Sequence, residues 1–281
     1  MKSRILGPVL LAALVALQTQ AGFRYTVKNT DEGGARGGNA NSTMQMTTDG
    51  DKARTDFVEG GPMRGHDGYI LTQDGGKTMT MVSPKDKTYM KWDMEAMMGM
   101  ANSMSAMMKM EVTDLKSDKL LDEAGETILG YPTRHYKFHT TYGMSMTVMG
   151  FQTASTVAKD EEFWTTTKID VPALGNWFKK APKMSNEALD KLMREQMNRL
   201  QGMPLKMISV QTTTDKSGKS QTFKHTMEVT EAHEFKPAAS LFEIPAGYTE
   251  TSMGGNQEQG GAADKGKGGP DLAPFMKMFN K

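Results

Sequence analysis

Short stretches in which apolar and polar residues alternate recur along this chain, and they constrain its fold more than any other feature. Alternation with a period of two is typical of strands that bury one face. Phe23, Tyr25 and Val27 share one face of the first stretch. Turn-forming Gly, Pro and Asp residues separate it from similar stretches at close spacing. The pattern predicts a β-rich α+β fold, built on a curved antiparallel sheet or incomplete β-barrel.

The remaining alternating stretches give a first map of the strands. Short alternations surround Met44, Met79 and Met90. The longer predicted strands cover residues Lys52–Glu59, 68–73, 111–121, 127–141, 144–151, 162–169, 205–214 and 221–234. No repeat of fixed period interrupts the series, so residues 22–251 are predicted to form one domain. The Gly-rich tail at 252–281 cannot bury a core and is expected to be disordered, with a short C-terminal helix around 275–279.

Two regions change to a helical period. After Asp93, which is a good N-cap, the methionines of residues 94–110, Met97 and Met100 among them, fall within about half the circumference of a helix. This pattern predicts an amphipathic helix whose buried face is nearly all thioether. A short helical piece is predicted at 172–180, and a longer helix is predicted to begin at Ser185 and to end at Gly202. Its apolar stripe consists of Leu189, Leu192, Met193, Met197 and Leu200.

The first residues have the pattern of a secretory signal. Lys2 and Arg4 precede an apolar segment at 9–17, and Thr19-Gln20-Ala21 provides a small-residue cleavage context. Residues 1–21 are therefore predicted to be a signal peptide, which places the protein in the periplasm or outside the cell. No later segment is apolar enough to cross a bilayer, so we expect no integral membrane segment after signal removal.

Composition excludes several kinds of chemistry. The chain has no cysteine, so disulfides, thiolate catalysis and cysteine-based metal sites are absent. The 34 Lys and Arg residues nearly balance the 33 Asp and Glu residues and form no basic stripe, which argues against nucleic acid as a partner. No motif of a known catalytic site occurs, so we predict no catalytic residues and no cofactor.

Three short segments resemble a known family. They are Ile128-Leu129-Gly130-Tyr131-Pro132, Gly202-Met203-Pro204-Leu205-Lys206, and the closing Leu241-Phe242-Glu243-Ile244-Pro245-Ala246-Gly247-Tyr248. Their order resembles that of the bacterial family known as domain of unknown function 4412, which is similar to the LolA-like lipoprotein carriers. The resemblance implies an incomplete β-barrel with helices on its concave face, an architecture that shelters acyl chains. It supplies no catalytic motif.

Methionine is the unusual residue of this chain, with 27 copies. The candidate ligand-binding residues are methionines of the first helix: Met94, Met97, Met98, Met104 and Met108. Their thioethers suit three roles: plain core packing, the lining of an adaptable lipid-like pocket, or the handling of copper or oxidants. We retain all three.

The histidines offer weaker candidates. His135 and His139 share a strand face with Lys137, which favours solvated polar residues over a metal clamp. His225 and Met227 share another strand face and could offer imidazole and thioether to Cu(I). Because one such pair does not complete a coordination sphere, we expect a satisfied core histidine and assign no metal ligand.

We therefore predict an exported, non-enzymatic binding or carrier protein for a hydrophobic or lipidic ligand. A Met-rich periplasmic copper-binding protein is one alternative, and a structural partner-binding protein is another. The sequence does not identify a protein partner.

Overall fold

A computed structural model gives the architecture of residues 22–33, 40–60, 68–106, 109–148, 151–169 and 186–251. The strands are β1 (Phe23–Gly33), β2 (Ala40–Asp49), β3 (Lys52–Glu59), β4 (Tyr69–Thr72), β5 (Thr78–Ser83), β6 (Thr88–Asp93), β7 (Lys109–Ala124), β8 (Arg134–Val148), β9 (Phe151–Thr166), β10 (Met203–Asp215), β11 (Ser220–Glu234) and β12 (Thr249–Glu250). The helices are α1 (Met94–Ala106), α2 (Glu187–Arg199) and a 3-10 turn (Ala239–Phe242). Neither α-helix of this part of the chain is long and apolar enough to span a membrane.

All twelve strands form one large, open, curved sheet in the order β12-β6-β5-β4-β3-β2-β1-β11-β10-β9-β8-β7. Neighbouring strands are antiparallel except for the short parallel pair of β12 and β6. The first strand lies near the middle, where it pairs with β2 on one side and with β11 on the other. The prediction of a β-rich fold with a curved, mainly antiparallel sheet is confirmed.

The predicted strand boundaries are wrong in the second half of the sheet. Residues 127–141 and 144–151 were predicted as two strands, but β8 runs without a break through Gly143. A β-carbon at Gly143 would lie 2.5 Å from Thr113 Oγ1, so this glycine permits close approach of β7 and does not form a turn. β9 begins at Phe151, not at residue 162.

The true turn lies earlier in the chain. Ile128 and Tyr131 exchange two backbone hydrogen bonds of 2.9 and 3.0 Å, with Leu129 and Gly130 between them. Both central residues have positive φ, 52° for Leu129 and 81° for Gly130, as a two-residue type I′ turn requires. Leucine rarely adopts this conformation, so residues 128–131 carry no standard turn signal.

Helix α2 begins two residues later than predicted and ends at Arg199. The side chain of Asn186 accepts hydrogen bonds from the backbone N–H groups of Ala188 and Leu189 and thereby caps the helix. Leu189 is buried. Gln196 Nε2 donates to Ser117 Oγ at 3.2 Å and to Thr140 Oγ1 at 3.3 Å, which holds the helix against β7 and β8.

The two faces of the sheet carry separate cores. On one face, Phe23, Tyr25 and Val27 pack with Leu205 and Val229, as the alternation of β1 predicts. The other face buries Tyr69, Leu71 and Val82 under Ile244 and Tyr248 of the closing segment.

Arg54 fastens this closing segment to the sheet. Its guanidinium lies 3.6 Å from the ring centroid of Tyr69 and donates a hydrogen bond of 3.4 Å to the backbone oxygen of Leu241. Asp56 holds the same guanidinium through bonds of 2.6 to 3.0 Å.

Three predicted segments lie outside the described residues. They are the signal peptide at 1–21, the helical piece at 172–180 and the tail at 252–281.

Candidate functional site

A cavity of about 310 Å³ opens on the sheet face that carries Tyr25 and Val27. Residues from seven strands, β1 to β5 together with β10 and β11, contribute to its wall or to the turns beside it. Five methionines line it: Met44, Met46, Met79, Met203 and Met227.

The strand register explains why these residues meet. Tyr25 lies opposite Met46, and Val27 lies opposite both Met44 and Val229. Since side chains alternate between the two faces of a strand, each such row projects to the same side of the sheet. The curvature of the sheet then brings the rows of neighbouring strands around one space.

No residue that lines the cavity, among those that the structure describes, carries a formal charge. The Tyr25 hydroxyl donates a hydrogen bond to the sulfur of Met46, and burial raises the pKa of Tyr25, so the phenol stays neutral. Asn29 Nδ2 donates to Ser42 Oγ at 3.3 Å. Thr72 Oγ1 accepts the backbone N–H of Gly76 at 2.8 Å. The side chains of Tyr25, Asn29 and Thr72 thus have partners within the protein.

The strand face of β11 that contributes to the cavity becomes more exposed toward the start of the strand. Val229 is 4% exposed, the side chain of His225 is 28% exposed, and Phe223 is 39% exposed. These three residues share one strand face with Met227. His225 therefore lies beyond the lining residue Met227, toward the more exposed end of this strand face.

Polar residues lie across four neighbouring strands beyond the cavity wall, on the same face of the sheet. His225 faces Asp31 on one side and Ser209 on the other, and Ser209 in turn faces Glu161. We call Asp31, His225, Ser209 and Glu161 the polar row. His225 Nδ1 lies 2.6 Å from Asp31 Oδ1, so this histidine has the expected polar partner, although its side chain is partly exposed and does not belong to the core.

Glu161 is more enclosed than Asp31 and His225. Its side chain is 12% exposed, and its carboxylate lies 2.6 Å from Lys159 Nζ. Tyr142 lies on the same face of the sheet, and the pKa of its phenol is raised by burial and, second, by the charge of Glu161. The row therefore combines two acids, an imidazole and a hydroxyl, and the Lys159 cation lies beside it.

The methionines predicted as ligand-binding residues occupy a different place. Asp93 caps α1 by accepting the N–H groups of Glu95 and Ala96, both at 2.9 Å. Met97 is 36% exposed and Met100 is 54% exposed, so the prediction of a buried thioether face is wrong at these two positions.

None of Met94, Met97 and Met98 lines the cavity, because α1 follows the strand β6 near one edge of the sheet, away from the cavity wall. The side chain of Met104 and the whole of Met108 lie outside the described residues. A ligand-binding role for the five helix methionines stays a prediction.

The strand methionines that do line the cavity were visible as alternation but not as a site. Met44 and Met46 share one strand face with period two. Their convergence with Met203 and Met227 depends on the position of β1 between β2 and β11. No local pattern reports that arrangement.

His135 and His139 lie on the opposite face of the sheet and pair with acids. His135 Nε2 is 3.0 Å from Glu162 Oε2, and His139 Nδ1 is 2.8 Å from Asp160 Oδ1. Within the described ranges, no group of three or more His, Asp or Glu side chains is placed to hold a metal ion.

Comparison with known families gives one match over most of the chain. The family described as "Domain of unknown function (DUF4412)" matches residues 35–248, which include most of the cavity wall and Ser209 and His225. A comparison with curated proteins found no match.

Proposed function

We propose that this chain, which belongs to the domain of unknown function 4412 family, is an exported, non-enzymatic binding or carrier protein for a hydrophobic or lipidic ligand. The uncharged, methionine-lined cavity is the observation that carries the proposal. In this proposal the sheet acts as a LolA-like incomplete barrel, with its helices over the concave face.

The cavity has properties that suit such a ligand. Its volume of about 310 Å³ lies at the lower end of the range for small-molecule pockets, roughly 300–1,000 Å³. A charged group placed against this wall would lose its hydration without gaining a partner, so the enclosed part of the ligand is apolar. Flexible, polarizable methionines fit chains of different shape better than branched side chains do.

Filling the cavity tests the proposal directly. Met44 faces the cavity, whereas Thr43, one residue earlier on β2, faces the other side of the sheet. Met44→Trp should lower the affinity for a fluorescent acyl probe at least tenfold, because the indole occupies the space of the ligand. Thr43→Trp should bind as the wild type does.

Circular dichroism and thermal melting establish that both variants are folded. The proposal fails if the wild type binds no apolar probe, or if the folded Met44→Trp variant binds as tightly as the wild type.

One arrangement favours a second candidate, the binding of Cu(I). Met207 and Met227 lie directly opposite each other on β10 and β11, and His225 lies two residues from Met227 on the same face. Thioether and imidazole are ligands that Cu(I) accepts. An anaerobic Cu(I) titration of the wild type and of Met207→Leu/Met227→Leu tests this candidate. Stoichiometric uptake that the folded double variant loses, together with no binding of the acyl probe, would favour copper over the carrier.

A further inference from the structure

We infer that the ligand is a single-chain amphiphile with an uncharged hydroxyl head group, and that Ser209 and His225 bind this hydroxyl. The inference rests on the proposed function, because the cavity must first hold the apolar chain. It adds the orientation of the ligand and the chemistry of its head.

The position of the two residues supports the orientation. Ser209 and His225 are cross-strand neighbours on β10 and β11. Directly opposite residues in an antiparallel pair have β-carbons about 5 Å apart, so one small group can contact both side chains. Met227, which lines the cavity, is two residues from His225 on the same strand face. A chain that fills the cavity and extends past Met227 would bring its head group to this pair.

The position of the proton on the His225 ring determines that the head group must donate a hydrogen bond to this histidine. The Asp31 carboxylate can only accept a hydrogen bond, so the short contact of 2.6 Å places a proton on His225 Nδ1. In the neutral imidazole the other nitrogen, Nε2, then carries a lone pair and accepts a hydrogen bond.

Ser209 supplies the complementary donor. Its hydroxyl makes no hydrogen bond to any residue that the structure describes, and so its proton is available to a ligand. A ligand hydroxyl can donate to His225 Nε2 while it accepts from Ser209 Oγ. An alkyl chain that ends in a methyl group can do neither.

The charges around the pair favour a neutral head. Asp31 and Glu161 flank it on the two sides of the polar row, and each is already paired, Asp31 with His225 and Glu161 with Lys159. A carboxylate head would be brought beside two carboxylates. An ammonium head has no lone pair and so cannot accept the hydrogen bond that Ser209 Oγ offers. A neutral hydroxyl avoids the repulsion and can both donate and accept.

The order Asp31, His225, Ser209 is also that of the side chains in a hydrolytic triad, but the surroundings favour binding. Ser209 Oγ and His225 are not hydrogen-bonded to each other. Ester hydrolysis further needs N–H donors aimed at the developing oxyanion. Here the pair lies in the middle of a paired region of β9, β10 and β11, whose backbone groups are engaged in the sheet.

A matched set of twelve-carbon compounds tests the head-group preference. Dodecanol, dodecanoate and dodecylammonium are each used to displace the neutral probe N-phenyl-1-naphthylamine from the wild-type protein. Dodecanol should displace the probe at the lowest free concentration of the three compounds. All concentrations are kept below the point at which a compound forms micelles or a separate phase. Equal or better displacement by either charged compound overturns the inference.

Two single substitutions test the residues. Ser209→Ala and His225→Phe should each weaken dodecanol binding roughly three- to tenfold, the range of one neutral hydrogen bond. Neither should change the affinity for the probe, which has no hydroxyl. Thr226→Val, one residue along β11 and on the opposite face, is the matched control and should leave both affinities unchanged. Because His225→Phe leaves Asp31 without its partner, Ser209→Ala is the decisive variant.

The outcomes separate this inference from the proposed function. If the probe binds but Ser209→Ala keeps the wild-type affinity for dodecanol, the inference is overturned and the carrier function stands. If the wild type binds no apolar probe, the carrier function itself fails. Hydrolysis of monododecanoylglycerol by the wild type, lost in Ser209→Ala, would make the site catalytic and also overturn the inference.

Discussion

The imidazole of His135 stacks on the indole of Trp164, with ring centroids 4.1 Å apart and ring planes 12° apart. On the neighbouring strand, Lys206 Nζ lies 4.7 Å from the centroid of the same indole. The indole is buried between these two side chains on the face of the sheet opposite the cavity. His135 therefore has a packing role there, beside its ion pair with Glu162.

The stack predicts that two histidines of β8, His135 and His139, contribute differently to the free energy of unfolding. His135→Ala should lower the free energy of unfolding by about 1 kcal/mol, because an aromatic pair contributes roughly 0.5–1.5 kcal/mol beyond its buried area. His139→Ala removes only a more exposed pair with Asp160 and should cost less than about 0.5 kcal/mol. Urea unfolding followed by tryptophan fluorescence measures both. Equal losses in the two variants would contradict a structural role for the stack.

Two glycines with similar backbone angles predict very different costs of substitution. Gly202 has φ +85° and Gly218 has φ +82°, so alanine is strained at both positions by roughly 1–2 kcal/mol. A β-carbon at Gly202 would also lie 2.2 Å from the backbone oxygen of Thr166, whereas nothing lies within 4 Å at Gly218. Gly202→Ala should therefore be the more destabilising of the two, by several kcal/mol. Similar midpoints of thermal unfolding for the two variants would show that the backbone near Thr166 shifts at little cost to admit the added β-carbon.

The turn before β5 predicts a pH-dependent contribution to stability. Burial raises the pKa of Asp74, but hydrogen bonds from the backbone N–H of Thr78 and from the hydroxyl of Thr72 outweigh it and hold the pKa below its ordinary value of 3.8. A depressed pKa in the folded state contributes stability above the unfolded value, and this stability is lost as the pH falls through the folded value.

Asp74→Asn should accordingly melt at a lower temperature than the wild type at pH 7. The gap should narrow as the pH falls below 3.8, because the wild-type carboxylate then becomes protonated. Calorimetry over this pH range measures it. A gap that widens in acid would contradict the assignment.

Methionine exposure predicts an order of oxidation. Met100 and Met97 on α1 are 54% and 36% exposed, whereas Met203 at the cavity is buried. Since the rate of sulfoxide formation follows access of the oxidant, dilute hydrogen peroxide should modify the two helix residues several-fold faster than Met203. Tandem mass spectrometry of digested protein measures each site. Faster oxidation of Met203 would mean that the cavity is open to the oxidant or that another part of the protein covers α1.

The sequence predicted those elements whose burial repeats with a local period. Phe23, Tyr25 and Val27 alternate because one face of β1 is buried, and the stripe of α2 includes Leu189, which is buried as predicted. Prediction failed where a residue's role depends on another strand. The strand was wrongly divided near Gly143, where the absence of a side chain allows close contact with Thr113 and does not mark a turn. The turn at Leu129 was missed because leucine seldom has positive φ.

The sequence by itself determined that the chain is a β-rich, cysteine-free, methionine-rich protein, because composition and alternation are properties of neighbouring residues. Only the tertiary structure decided which methionines form a cavity and which polar residues lie beside it. Asp31 and His225 are 194 positions apart in the chain, yet their side chains meet at 2.6 Å because β1 pairs with β11. Strand pairing depends on the packing of the whole sheet. A strand can bury its apolar face beside several different partner strands, and the local sequence does not specify which of them it pairs with.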